Sequence, residues 1–457
     1  MPAPEENKMG VQPIGRLLFG MAVPMMVSML FQALYNVVDS IFVARIGQDA
    51  LNAVSLAFPL QNLMIGVGSG TAVGMNALLS RSLGEKKQDI VDRAANTGIF
   101  LSLCSACVFA IVGLGFSRMF FRALTQNPQI VAYGGAYTGI CLGLSFGVFG
   151  QFCFERMLQS TGRTALSMVT QLTGAITNII LDPILIFGLF GFPRLEVAGA
   201  ALATVAGQVI AALMGLYFNL RYNSDVHLDP RAVRWHRTTA REIYRVGFPT
   251  ILMMSVGSVM NFFLNRILIS FTEAATAVFG AYFKLQSFIF MPVFGLNNAM
   301  VPIVAYNYGA AKPDRMKATI RLAIVSAVCM MSVGLLIFQC FPGVLLGFFD
   351  PSDEMREIGY VALRLISLCF PLAGFGVVSG SVFQAIGNPF HTFIVSVCRQ
   401  LAVLLPAAWL LSLTGRLELV WLAFIIAEGV SMLVSMVFLR RTLRDADEHF
   451  RGLEGIA

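Results

Sequence analysis

Residues 14–44 read IGRLLFGMAVPMMVSMLFQALYNVVDSIFVA, and residues 239–269 repeat this stretch in weaker form as TAREIYRVGFPTILMMSVGSVMNFFLNRILI. The same offset joins further residues along the chain, pairing Arg16 with Arg241, Pro24 with Pro249, Met29 with Met254, Asn36 with Asn261, Gly84 with Gly309, Asp89 with Asp314, Gln159 with Gln384 and Gly162 with Gly387. Matches at Pro, Gly and polar positions in an apolar background indicate a duplicated half. Because chain direction is preserved, the sequence predicts two parallel repeats with a substrate site at their interface, as in alternating-access transporters.

The composition is that of a membrane protein. With 57% hydrophobic and 12% charged residues, a soluble domain is excluded. We predict an all-α polytopic fold of twelve transmembrane helices, because each half carries six apolar runs long enough to cross about 30 Å of hydrocarbon. The runs are 15–44, 51–79, 94–117, 129–155, 164–189, 196–219, 242–272, 275–306, 318–340, 357–382, 390–412 and 417–441.

Lysine and arginine positions predict the orientation. If the N-terminus is cytoplasmic, only six of the 32 Lys and Arg lie in outer loops and four within spans. We therefore expect both termini in the cytoplasm of a multi-pass membrane protein. The net charge of +7 follows from this topology, so we expect the lipid bilayer and not nucleic acid as the partner of the basic residues.

The same pattern predicts the domain organisation. It consists of a cytoplasmic tail at 1–13, an N-lobe at 14–219, a cytoplasmic Arg-rich linker at 220–238, a C-lobe at 239–441 and a cytoplasmic tail at 442–457. The linker is long enough to let the lobes move.

Gly66, Gly70 and Gly74 recur every four residues in the second span, which predicts one face of close helix packing. No nucleotide-binding motif occurs, so neither ATP nor a cofactor is expected.

Ionisable side chains within spans are costly, and each is a functional candidate. Asp39 comes late in the first span, and Asn178 and Asp182 come late in the fifth on one helix face. Tyr137 and Thr204 begin spans that run the other way, so all five reach a similar outer depth. Two carboxylates in such a place resist ionising together, and the cluster can hold a proton or a Na⁺ ion.

The remaining intramembrane charges allow several interpretations. Arg399 and Glu428 lie near mid-depth, where we expect a buried ion pair with a structural, gating or substrate-linked role. Lys284 lies in the outer half of the second lobe. Glu155 and Arg156 close the fourth span at its inner end, where we expect an interfacial pair.

Five segments carry a resemblance to a known family. They are QALYNVVDSIFVA at 32–44, RMLQSTGR at 156–163, NIILDP at 178–183, AYNYGA at 305–310 and QAIGNP at 384–389 followed by Arg399. In these motifs and in their order the chain resembles a multidrug and toxic compound extrusion (MATE) transporter of the DinF/MepA-like bacterial branch. The resemblance spans essentially the whole chain and implies a location in the bacterial inner (plasma) membrane.

The resemblance implies two six-helix lobes around a V-shaped central cavity and export of cationic or amphipathic compounds in exchange for H⁺ or Na⁺. It assigns cation coupling to five residues, namely Asp39, Tyr137, Asn178, Asp182 and Thr204. It extends substrate-cavity or gating roles to a larger set, namely Pro24 as the helix-bending proline, Gln32, Tyr35, Asn36, Glu155, Asn261, Lys284, Arg399 and Glu428. The seventh span departs from the acid-bearing branch of the family by offering Asn261, Asn265 and Arg266, which favours coupling through the first lobe.

Other functions stay open at this point. A flippase for lipid-linked precursors shares the architecture and would need cationic residues for a pyrophosphate, some of which Arg266, Lys284 and Arg399 could supply; the carboxylates of the first lobe would be unusual neighbours for that anion. A membrane-embedded enzyme would need Asp-rich magnesium motifs, which the sequence lacks, and a channel is disfavoured by the unequal charges of the two halves. We expect a monomer. No firm metal site is predicted beyond Na⁺ at Asp39, Asn178, Asp182 and Thr204, and H⁺ is the preferred coupling ion.

Overall fold

The structure is a computed structural model that describes residues 7–454. Residues 1–6 and 455–457, which belong to the two predicted tails, lie outside the described residues. Throughout the described part every regular element is helical. The helices are α1 (Lys8–Val11), α2 (Ile14–Ala44), α3 (Gln48–Gly84), α4 (Gln88–Leu124), α5 (Pro128–Gly143), α6 (Phe146–Ser160), α7 (Thr164–Phe187), α8 (Val197–Tyr222), α9 (Arg237–Ile269), α10 (Glu273–Gly309), α11 (Pro313–Cys340), α12 (Pro342–Gly347), α13 (Asp353–Ser367), α14 (Phe370–Ile386), α15 (Pro389–Val397), a π-helical segment (Cys398–Leu404), α16 (Leu405–Ser412) and α17 (Leu417–Glu454), with 3₁₀ turns at Leu189–Gly191 and Pro230–Ala232.

The predicted twelve spans are confirmed. Within residues 7–454, ten helical stretches are long and apolar enough to cross a membrane, with Pro389–Ser412 counted as one stretch. Two bent helix pairs supply one further span each: α5 with α6, bent by 43°, and α13 with α14, bent by 50°. The bends lie at equivalent places in the two halves.

Helix boundaries follow the sequence repeat. The offset that joins Pro24 to Pro249 also joins both ends of α3 to both ends of α10, and the ends of α7 to those of the Pro389–Ser412 span. The register changes only after the fifth span of each half. There, residues 188–196 connect α7 to α8, whereas the shorter segment 413–416 leads into α17.

The described residues form two compact units, whose boundaries fall inside helices. The N-unit is Val27–Ile251, and the C-unit comprises the residues up to Met26 together with those from Leu252 onward. Each boundary follows a proline by two residues, Pro24 in α2 and Pro249 in α9. Proline removes a backbone donor and permits a bend, so the two parts of each helix can pack on different neighbours.

In the N-unit, the leading part of α9 packs on α3 through the predicted glycine face. A Cβ atom on Gly70 would lie 2.8 Å from the carbonyl oxygen of Gly247, and one on Gly74 would overlap the carbonyl oxygen of Ile243. Small residues allow such close approach of two helix backbones. The prediction of close packing is confirmed at Gly70 and Gly74 and stays a prediction at Gly66.

The linker is also part of the N-unit, since it is bound to α4. Asp92 Oδ1 accepts a hydrogen bond of 2.9 Å from the backbone N–H of His227. Asn96 donates to the carbonyl of His227 (3.1 Å) and accepts from the N–H of Asp229 (3.2 Å), and Val226 is buried. The unit boundary therefore lies in α9, whereas the sequence places the lobe boundary in the linker at 220–238.

In the C-unit, the N-terminal segment is likewise bound to helices by hydrogen bonds. The backbone carbonyls of residues 9–12 accept hydrogen bonds from the ends of α10 and α11: Asn307 and Arg315 both donate to Met9 (3.0 and 3.2 Å), and Arg315 also donates to Gln12 at 2.7 Å. Gly295 is the repeat equivalent of Gly70, and a Cβ there would lie 2.6 Å from the backbone nitrogen of Met26. In each unit, the segment that leads into one repeat packs on helices of the other repeat.

Candidate functional site

Two carboxyl groups meet inside the N-unit. Asp39, on the second part of α2, contacts Asp182 on α7. Asp182 is fully buried and Asp39 is partly exposed. The Oδ1 atom of each residue is buried and has no hydrogen-bond partner. Like charges in contact disfavour simultaneous ionisation, so this arrangement suits the binding of a proton or another small cation.

The rest of α7 and α8 shapes this site. The two helices cross at Gly174 and Gly207, where a Cβ on Gly207 would lie 2.5 Å from the Gly174 carbonyl oxygen. This close crossing brings Thr204 to Asn178. In the amide orientation that satisfies both ends, Asn178 donates to Asp182 Oδ2 (3.3 Å), while its oxygen accepts from the hydroxyl (3.2 Å) and backbone N–H (3.1 Å) of Thr204. The i,i+4 arrangement predicted for α7 therefore holds.

Two tyrosines lie beside the carboxyl pair. Tyr35 and Tyr137 are both within electrostatic range of Asp39. Tyr137 is buried, and its hydroxyl accepts a hydrogen bond of 3.3 Å from the side-chain amide of Gln61. The sequence analysis missed Gln61, although the adjacent amides Gln61 and Asn62 in an apolar span shortly after Pro59 were a usable signal. Tyr35, predicted as a cavity residue, belongs to the same cluster as the coupling residues.

Glu155, expected from the sequence to form an interfacial pair with Arg156, is enclosed by the protein and stays within electrostatic range of Arg156. Its side chain is 2% exposed and is held by neutral groups. Gln151 donates to Oε1 at 2.9 Å, Gln171 donates to Oε2 at 2.7 Å, and Thr170 lies at 3.5 Å from Oε1. α7 and the first turns of α6 enclose this carboxyl group with amides, a burial that the sequence analysis did not expect, and the role of Glu155 and Arg156 as a pair stays a prediction.

The predicted ion pair of the C-unit is present. Arg399 Nη1 and Glu428 Oε1 are 2.6 Å apart, and their side chains are 32% and 11% exposed. Arg399 lies in the π-helical segment Cys398–Leu404, an irregular geometry that is frequent at functional positions. The pair neutralises itself, in contrast to the two like charges of the N-unit.

The other predicted cavity and gating residues are divided between the units. Gln32 and Asn36 lie on the N-unit part of α2, and Asn36 is exposed. Asn261 and Lys284 lie in the C-unit, where Lys284 is exposed with its Nζ 6.0 Å from the centroid of the Phe349 ring. Pro24 lies inside α2 just before the unit boundary. The structure brings the five coupling candidates together, and the roles of this second set stay predictions.

Comparisons with known proteins agree with this picture. A sequence model of the family described as MatE matches residues 24–184 and 249–410, one segment in each repeat. The multidrug export protein MepA of Staphylococcus haemolyticus (strain JCSC1435) is 27% identical over 434 residues, covering 94% of each chain. MepA of Staphylococcus aureus (strain MSSA476) is 26% identical over 433 residues, covering 93% of each chain.

Solved structures share the fold over nearly the whole length. One is a multidrug resistance MATE family transporter of the MOP superfamily in an outward-facing conformation, with a TM-score of 0.91, 24% identity and coverage of 98% of this chain and 100% of that chain. Another is a MOP superfamily transporter from Pyrococcus furiosus Vc1 (DSM3638), whose reverse polarity of the binding pocket suggests a different function; its TM-score is 0.90, with 25% identity and the same coverage. The resemblance drawn from the motifs is confirmed, and the chain belongs to the MatE family.

Proposed function

We propose that this protein is a secondary active multidrug efflux antiporter, which exports cationic or amphipathic compounds in exchange for protons. The contact between Asp39 and Asp182 carries the proposal. Two touching carboxyl groups that share one proton can release it when a substrate cation binds nearby. The names of the relatives, multidrug export proteins that align with nearly the full chain, support the substrate class.

The orientation of Asn178 favours H⁺ over Na⁺ as the coupling ion. A sodium site built from Asp39, Asn178, Asp182 and Thr204 would need oxygen atoms directed at one point. In the orientation assigned from its hydrogen bonds without a bound ion, Asn178 directs its nitrogen at Asp182, and its oxygen accepts from Thr204. An amide N–H beside a carboxyl group stabilises a charged or shared-proton form, whereas it would repel a metal cation.

The flippase alternative needs free cationic groups for a pyrophosphate. Of the three candidates Arg266, Lys284 and Arg399, the last is already paired with Glu428. The acids of the N-unit would in addition repel an anion. The observations therefore support export of cations more than transfer of anionic lipids. Cytoplasmic termini, a monomeric state and the absence of a cofactor stay predictions.

The test is ethidium efflux from proteoliposomes under two separate driving forces. With an inward proton gradient and no Na⁺, we expect robust efflux that stops when the gradient is collapsed. With a sodium gradient at constant pH, we expect background rates. Dependence on added Na⁺ at constant pH would replace H⁺ by Na⁺ in the proposal, and no efflux under either gradient would contradict the antiporter itself.

A further inference from the structure

A second carboxyl group in the N-unit lies outside the Asp39–Asp182 contact and has the surroundings of a proton carrier. We propose that Glu155 takes up and releases a proton in each transport cycle. The protein would then exchange two protons per substrate, one at the aspartate pair and one at Glu155. This inference rests on the proposed antiport and adds its stoichiometry.

The groups around Glu155 can serve both of its protonation states. Gln171 donates its Nε2–H to Glu155, while its own Oε1 is buried without a hydrogen-bond partner. An amide presents a donor at one end and an acceptor at the other, and a half-turn exchanges them. Gln171 can therefore donate to the carboxylate or accept from the protonated acid, at the same cost of one unpaired amide end. A bound lysine or arginine would stabilise only the ionised form.

The electrostatic surroundings allow either state. Among the described residues, Arg156 on its own helix and Tyr35 on α2 are charged or titratable groups within electrostatic range of Glu155. From α7 it is faced by the neutral Thr170 and Gln171. Tyr35 is also within electrostatic range of Asp39 and Asp182, so the charge states of the two sites can influence each other.

The proton step balances without any further reactant. When a cationic substrate enters, the O–H bond of protonated Glu155 breaks and the proton passes to water. Gln171 turns its N–H toward the new carboxylate. When the substrate leaves, a proton from water restores the O–H bond, and the amide returns its oxygen to accept it.

Two protons per monovalent cation would make transport sensitive to membrane potential. One net charge then crosses the membrane in each cycle, and 100 mV changes the limiting substrate gradient about 50-fold. Exchange of a single proton would be electroneutral and indifferent to the potential. In Glu155→Gln proteoliposomes that still transport, we expect this potential dependence to disappear.

Proton counting decides the question even if a variant does not transport. Purified protein in lightly buffered detergent solution is mixed with tetraphenylphosphonium between about pH 5.5 and about pH 8, and the protons released per bound cation are measured. We expect up to about two protons from the wild type and about one fewer from Glu155→Gln. Asp89→Asn removes an exposed acid on α4 and is the matched control, with wild-type release expected.

The outcomes separate this inference from the proposed function. Equal release by the wild type and Glu155→Gln, together with reduced release by Asp39→Asn, would overturn the role of Glu155 and leave the antiport intact. Release of at most one proton by the wild type at every pH would also overturn it. No release at all would remove both, because proton coupling itself would then be absent.

Discussion

The two halves of this chain share a fold but differ in their intramembrane chemistry. At the offset that aligns their helices, Asp39 corresponds to Leu264 and Asp182 to Ala407. Conversely, Arg399 corresponds to Gly174, where α7 crosses α8. The positions that determine packing were retained after duplication, whereas the ionisable side chains were placed independently in each half.

The difference has an energetic consequence. Asp39 and Asp182 carry like charges, so their contact is stable only with a proton or another cation present. Arg399 and Glu428 carry opposite charges at 2.6 Å and satisfy each other. The first arrangement changes state when a cation binds or leaves, and the second resists such a change. This contrast supports our proposal that coupling runs through the N-unit, and we expect the C-unit pair to be structural.

Asp39→Asn should produce the largest effect and tests this assignment directly. Asparagine has the same shape but cannot release a proton, so we expect ethidium efflux to fall to the level of empty liposomes. The melting temperature in detergent should stay within about 2 °C of the wild type, because the position is partly exposed. Wild-type efflux by a well-folded Asp39→Asn protein would contradict coupling through the N-unit.

Much of this comparison could be predicted from the sequence. The repeat of Pro24 at Pro249 and the glycines of α3 determined the halves and their close packing, since Pro and Gly act through the backbone and are visible in one dimension. The i,i+4 spacing of Asn178 and Asp182 indicated one helix face. The position of Asp39 along its span was enough to predict that it lies at the same membrane depth as Asn178 and Asp182.

Other features could not be predicted, because they depend on neighbours distant in the chain. The burial of Glu155 depends on Gln171 of the next helix, and no local pattern distinguishes it from an interfacial acid. The docking of the linker depends on Asp92 and Asn96, more than a hundred residues earlier. The unit boundary inside α9 follows from these contacts and not from composition.

Breaking the C-unit ion pair should have the next largest effect, which we expect on the free energy of unfolding. Glu428→Gln leaves Arg399 without its counter-charge, and we expect a loss of about 2–4 kcal/mol because the arginine is only partly exposed. The double variant Arg399→Met with Glu428→Leu should stay within about 1 kcal/mol of the wild type and retain efflux. Unfolding midpoints in detergent measure the first effect, and proteoliposome efflux measures the second. A stable double variant without efflux would assign the pair to gating or substrate binding.

The smallest effect should come from substitutions at packing positions that the two halves share. Gly70 and Gly295 are repeat equivalents, and a Cβ on either would meet neighbouring atoms: Gly247 O at 2.8 Å in the N-unit and Met26 N at 2.6 Å in the C-unit. Backbone atoms cannot rotate away as a flexible side chain can, so Gly70→Ala and Gly295→Ala should each lose about 1–3 kcal/mol by overpacking. Gly280→Ala is the control, because no atom lies within 4 Å of its added Cβ and alanine favours the helix by about 1 kcal/mol. Unfolding midpoints measure the loss of stability at each position. Similar losses at Gly70 and Gly295 would show that the duplication preserved packing in both halves. If alanine were tolerated at only one of them, the structural equivalence of the repeats would be limited to their helix boundaries.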